Sequence, residues 1–231
     1  MLKRPQSTLS PPLIIKGSSD PISPTMAGTM DAVPHPISLA LMRLRTTSRK
    51  HRENVGYELH VQAEAAITAA LVATIQEYLS DEDIFVATPH RIQRQAVKTA
   101  LASGHYNTTS LAEQLAEMTL SGSKKKERRA KPKVTVDTIE RLQGSEAAFV
   151  ICLFSLPQSH IADLHFLLER RRLNVAISRA KSMCILISST EVLRPAVSAL
   201  ADEETAKGYA FLRAFADRAW LGDVNVDIDA L

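Results

Sequence analysis

Residues 170–181 read Arg-Arg-Arg-Leu-Asn-Val-Ala-Ile-Ser-Arg-Ala-Lys, with small and apolar side chains between the cations. Leu173, Ala176, Ile177 and Ala180 recur at helical spacing, so a helix over about 170–181 is expected, with Arg172 and Arg179 sharing a second face. Consecutive arginines near a core require anionic partners. Phosphate meets that need, because guanidinium bonds it through two parallel hydrogen bonds.

A second polar cluster interrupts VTVDTIERLQGSEAAFVICLF, Val134 to Phe154. Two strand-like runs, 134–137 and 147–154, flank a seam holding two glutamates, an arginine, a glutamine and one glycine. A plain connection of that length calls for turn residues instead. A third cluster is Thr88 to Gln95, where Thr88 can cap a helix and Pro89 can take its first position. Ile92, Ala96, Ala100 and Leu101 form its apolar face, and Arg91, Arg94 and Lys98 the opposite one. Alone, that basic face needs no explanation beyond solvation. The stretch SGSKKKERRAKPK carries seven basic residues against Glu127. It reads either as a solvated loop or as a contact to phosphate backbone through Lys124, Lys125, Lys126, Arg128 and Arg129.

Other constellations point nowhere. His160, Asp163 and His165 lack a fourth ligand and a common helical face, so no metal site is expected. Ser178 has no histidine base nearby in sequence, and Phe211 to Phe215 with Trp220 reads as core of a terminal helix.

The elements that position these clusters follow from periodicity. Residues 1–33 are rich in proline, serine and threonine and are expected to be disordered. Residues 34–58 look irregular, with basic Arg43, Arg45, Arg49, Lys50 and Arg52, and read as a linker or the remnant of a preceding domain. From His60 a helix reaches Leu79, a strand covers 83–87, and helices follow to about Ser103 and over 110–120. A strand over 183–188 follows the arginine-rich helix, and helical patterns span 190–200 and 203–220. Alternating strands and helices predict an α/β layer fold with a mostly parallel sheet, at whose carboxyl edge ligands bind.

The 231 residues are 45% apolar with net charge +3, which fits one domain plus extensions and argues only weakly for nucleic acid. Cys152 and Cys184 lie in apolar runs and are expected to be buried free thiols. No apolar run reaches membrane-spanning length, and no signal-peptide core follows the start. A soluble intracellular protein of nucleus or cytoplasm, without membrane partners, is expected.

The seam and the arginine-rich stretch, in that chain order, resemble superfamily 1 helicases, in the branch containing the nonsense-mediated-decay RNA helicase and its DNA-helicase relatives. Val136-Asp137-Thr138-Ile139-Glu140-Arg141-Leu142-Gln143-Gly144-Ser145-Glu146 is similar to motif V, and Arg172 to Lys181 to motif VI, Arg-Leu-Asn-Val-Ala-Leu-Thr-Arg-Ala-Arg. Pro89 to Arg94 is similar to motif IV, with His90 for a tyrosine. The resemblance covers about residues 60–190 and implies a RecA-like fold, the second motor domain at 59–190 and a helical C-terminal extension at 191–231. It implies arginine fingers at Arg94 and Arg179, nucleotide contacts at Gln143, Gly144, Glu146 and Arg172, and a strand-backbone contact at Thr138. Glu140 replaces aspartate, Leu142 phenylalanine, and Asp137 a usual glycine, whose added carboxylate repels phosphate.

ATP with magnesium is the implied cofactor, shared with a first RecA-like domain in cis or in trans, and single-stranded RNA or DNA the implied partner. None of the eight glycines precedes a lysine, so the chain has no P-loop. Two expectations result. The chain is the C-terminal motor half of an ATP-dependent helicase, in a truncated copy or incomplete gene model and inactive alone. Alternatively it is a free-standing, non-catalytic module that binds nucleic acid or a helicase.

Overall fold

The computed structural model describes residues 15–16, 38–48, 55–103 and 133–230. The expected disorder of 1–33, the helix over 110–120, the basic loop, and Arg49, Lys50 and Arg52 lie outside these, apart from the two residues of β1.

In chain order the elements are β1 (Ile15–Lys16), β2 (Leu39–Thr47), α1 (Tyr57–Tyr78), β3 (Ile84–Thr88), α2 (Arg91–Ser103), β4 (Val134–Thr138), β5 (Ala147–Phe154), the one-turn α3 (Leu164–Leu167), α4 (Arg170–Ile177), β6 (Ala180–Ser189), the one-turn α5 (Thr190–Leu193), α6 (Glu203–Ala216) and β7 (Trp220–Asp227). They build one sheet in the order β1-β7-β2-β6-β5-β3-β4. β7 through β4 are all parallel, and β1 adds antiparallel to the β7 edge.

Both faces are covered, which is why β5 reads as an unbroken apolar run and is buried throughout. On one face α1 and α2 pack Ile67, Leu71 and Val97 against Ile84, Val86 and Ile151. On the other, α3, α4 and α6 bring Leu167, Leu173 and Leu212 onto Phe85, Val150 and Cys152. Cys152 and Cys184 are buried free thiols on neighbouring strands, with their sulfurs 3.9 Å apart. The architecture is the RecA-like α/β fold.

Four local expectations are corrected. The stretch that looked irregular contains β2, an interior strand between β6 and β7. Its Arg43 is accommodated by a forked ion pair with Asp223 of β7 (Nη2 to Oδ2 2.7 Å). The C-terminal segment is not wholly helical: α6 stops at Ala216, and Trp220 opens β7. The layer therefore takes in strands on both sides of 59–190. The arginine-rich helix ends at Ile177, because β6 already starts at Ala180. Thr88 closes β3 and does not cap α2; its hydroxyl donates to the Asp137 carbonyl (3.2 Å). The α2 terminus is closed from within, as the His90 N–H donates to Gln93 Oε1 (3.2 Å).

Among the described residues no helix is long and apolar enough to cross a membrane.

Candidate functional site

The seam is a passage from one edge of the sheet to the other. β4 reaches the carboxyl edge at Thr138, a single 3-10 turn over Ile139–Leu142 buries Ile139 and Leu142, and β5 restarts at the amino edge. Between them Gln143, Gly144, Ser145 and Glu146 are exposed. Gly144 sits at φ 80°, a left-handed conformation that glycine alone adopts freely, and open space lies where a Cβ would stand. Glu146 pairs with Lys181 (3.5 Å) in solvent.

At the carboxyl edge Arg94, on the first turn of α2, donates from Nη1 to Asp137 Oδ1 (2.9 Å). The same oxygen accepts the Thr138 N–H (2.8 Å), and Arg141 lies 3.9 Å away. Burial pushes the Asp137 carboxyl up, but the Thr138 N–H and the two guanidiniums outweigh it and hold it below the usual carboxylate value. Gln93 ties this helix start to the core: its Nε2 donates to Glu64 Oε2 (2.7 Å). Ser155 donates to the other Glu64 oxygen (2.6 Å) and meets His60 Nε2 (2.8 Å). Burial raises the Glu64 carboxyl to about 7 against the pull of its hydrogen bonds, and lowers His60 to about 4.

Arg172 is held from three sides. Its Nε pairs with Glu169 (2.9 Å), its Nη2 with Glu140 of the seam (3.5 Å), and its guanidinium lies 3.6 Å over the Phe166 ring. Phe166 stacks on His90 (4.8 Å), His90 meets the edge of Tyr57, and Tyr57 stacks on His160 (4.5 Å). Burial, chiefly, lowers the His90 imidazole. Sequence reasoning missed this file of rings, because its members come from four segments with no common spacing. His165, the other member of the discounted trio, faces the Ala162 carbonyl through Nδ1 (3.0 Å).

Arg179 stands in the turn between α4 and β6. Its Nε donates to the Val175 carbonyl (3.2 Å), its Nη2 to Ser178 Oγ (3.0 Å), and its own carbonyl accepts the Ala147 N–H (3.1 Å). It is thereby anchored where the seam ends.

A family model described as an AAA domain matches residues 18–191, well over half of the chain. The chain belongs to the AAA domain family. This AAA domain is the one found in C-terminal regions of superfamily 1 helicases, so the chain is a C-terminal helicase-like domain. No curated protein matches it. The match takes in β2 to β6 and ends within α5, so β7 completes the sheet from beyond it.

The AAA domain brings some of the expected residues together and separates others. Glu140 joins Arg172 to the seam, and Asp137 joins Arg94 to it. Gln143, Gly144 and Glu146 share the amino end with Arg179. Arg94 and Arg179, expected on one phosphoryl group, occupy opposite ends. Asp137 is level with Ala87 and so with Cys152; Ala147, five residues before Cys152, carries the Arg179 contact. At the usual strand rise the two levels are about 16 Å apart. They also lie on opposite faces, α2 against one core and α4 against the other. Lys124, Lys125, Lys126, Arg128 and Arg129 lie outside the described residues.

Proposed function

We propose that this chain is the C-terminal motor half of an ATP-dependent superfamily 1 helicase, of the branch that includes the nonsense-mediated-decay RNA helicase and its DNA-helicase relatives. The observation that carries this is the seam's crossing of the whole sheet. One short segment ends at Thr138 on one side and at Gln143, Gly144 and Glu146, beside Arg179, on the other.

The amino end has the character of the outer wall of a nucleotide site. Gly144 leaves its backbone open to close approach, Gln143 and Glu146 offer exposed polar groups, and Arg179 supplies a cation. ATP with magnesium would supply the phosphoryl group whose transfer drives the motor. In this reading Glu146 bonds the ribose and Arg179 sets positive charge where negative charge develops on that group. Arg172, the remaining nucleotide contact that the resemblance implies, is fixed by Glu140 and Glu169 towards the Thr138 end of the seam, and reaches the nucleotide in this reading only from that side. Because the chain lacks a P-loop, a first RecA-like domain, in cis or in trans, holds the phosphates and the metal. Thr138 contacts the backbone of single-stranded RNA or DNA, and Lys124, Lys125, Lys126, Arg128 and Arg129 supply further cations for its phosphates. Without a first domain, binding rather than hydrolysis is what the chain performs.

The test is Arg179→Ala in a form completed by a P-loop domain. ATP turnover should fall by about three orders of magnitude while single-strand binding persists. Unchanged turnover would remove Arg179 from the nucleotide site and this function with it.

A further inference from the structure

We infer that Arg94 belongs to the strand-gripping end of the seam, and that Asp137 is its built-in competitor, occupying the guanidinium that would otherwise hold a backbone phosphate. The inference rests on the proposed strand contact at Thr138 and adds to it a cation and the residue that limits its grip.

Four observations converge. Arg94 is bound at the level of Asp137, one residue before Thr138, and about 16 Å along the strands from the amino end where Arg179 is anchored. A fixed sheet separates those levels, so the two arginines do not close on one phosphoryl group. Next, the pair is made end-on: Nη1 meets Oδ1, while the buried Arg94 Nε has no hydrogen-bond partner. A phosphate oxygen pair would engage the fork of donors that this carboxylate engages at one point. Third, Asp137 is held for the task. Its Oδ1 also accepts the Thr138 N–H and its carbonyl accepts the Thr88 hydroxyl, which fixes the acid between the ends of β3 and β4. Finally, Arg94 and Asp137 are each about a quarter exposed and Arg141 is 64% exposed, so an incoming anion can reach the group.

The chemical consequence is a competition. Arg94, Arg141 and Asp137 sum to one positive charge at this edge. A phosphate gains Arg94 only by displacing a carboxylate that repels it. The motif that this seam resembles has glycine at the acid's position and no such competitor. Asp137 is thus a positioning residue that weakens each hold on the strand, a useful property in a domain that must release it at every step.

The test measures binding of the full chain to a labelled short oligothymidylate and oligouridylate across a salt series, with inorganic pyrophosphate as a separate arm. Asp137→Asn keeps the acceptor for the Thr138 N–H but loses the charge; Asp137→Gly restores the resembled motif, and melting curves verify that either is folded. Strand affinity should rise about three- to tenfold, and the slope of log K against log salt should steepen by about 0.7, one more phosphate contact. In the double variant Arg94→Ala/Asp137→Asn the gain should vanish. A gain that survives there is a general charge effect and overturns the inference, as does no gain in either folded variant. A gain confined to pyrophosphate would return Arg94 to the nucleotide. If the unaltered chain and every variant fail to bind strands even at low salt, the proposed function falls first. Tight binding by the unaltered chain with no change on substitution removes the Asp137 competitor alone.

Discussion

Glu64 is wholly buried and bonded to Ser155 and Gln93 rather than to a cation, with its carboxyl raised to about 7. Between its ordinary value and about 7 the folded chain holds a proton that the unfolded chain has lost. Glu64 therefore makes stability fall as pH rises through that window. His60 works the other way: lowered to about 4, it makes stability rise with pH until its ordinary value near 6.5 is passed. Glu64→Gln should remove the first slope. Its stability relative to the parent should improve between about pH 5 and pH 8 by on the order of 2 kcal/mol, read from denaturant midpoints at both values. An unchanged difference would mean that Glu64 stays ionised in the fold. Gly144 offers a second test at this scale. With φ at 80° and nothing near a Cβ, Gly144→Ala should cost about 1–2 kcal/mol through backbone strain alone, measured by thermal melting.

Helix α6 comes so near to α3 that a Cβ on Gly208 would stand 1.6 Å from the Leu168 carbonyl oxygen. The obstacle is backbone and cannot swing aside, so Gly208→Ala should destabilise by about 3 kcal/mol or force α6 outward. A melting temperature within a degree or so of the parent would refute that packing. At this scale the sequence was legible wherever one physical signal dominated. The unbroken apolar run of β5 announced a strand buried on both faces, and the polar seam stood out because its residue types do not serve a turn. β2 was obscured because Arg43 and Arg45 break its apolar run, and only the distant Asp223 makes sense of Arg43 inside a sheet. β7 was obscured by its own alternation: Gly222, Val224 and Val226 face the core, but Asp223, Asn225 and Asp227 between them read as loop. The end of α4 was misplaced because Ala180 continues the helical spacing of Leu173, Ala176 and Ile177, although its backbone already pairs with Ala147 in the sheet. The file from His160 to Arg172 had no local signature, since its partners meet only when loops at the ends of different strands converge.

On the scale of the molecule the fold is a sheet whose interior is stitched from the two ends of the described chain. β2 bonds β6 on one side and β7 on the other, over registers of six and eight residue pairs. A fragment of residues 59–190 keeps every motif yet lacks both β2 and β7, leaving β6 as a bare hydrophobic edge. That fragment should show no cooperative melting transition, whereas residues 38–230 should show one; a cooperative fragment would shrink the domain to the motif-bearing core. The same stitching bears on how the protein is made. Arg43 and its partner Asp223 are 180 residues apart. At about 5–20 residues per second, a ribosome delivers β7 roughly ten to forty seconds after β2 has been synthesised. For most of that interval, until β6 is made, an apolar strand that will become interior has no neighbour, and until β7 follows it has one only, so chaperone capture during translation is the natural fate of the newborn chain.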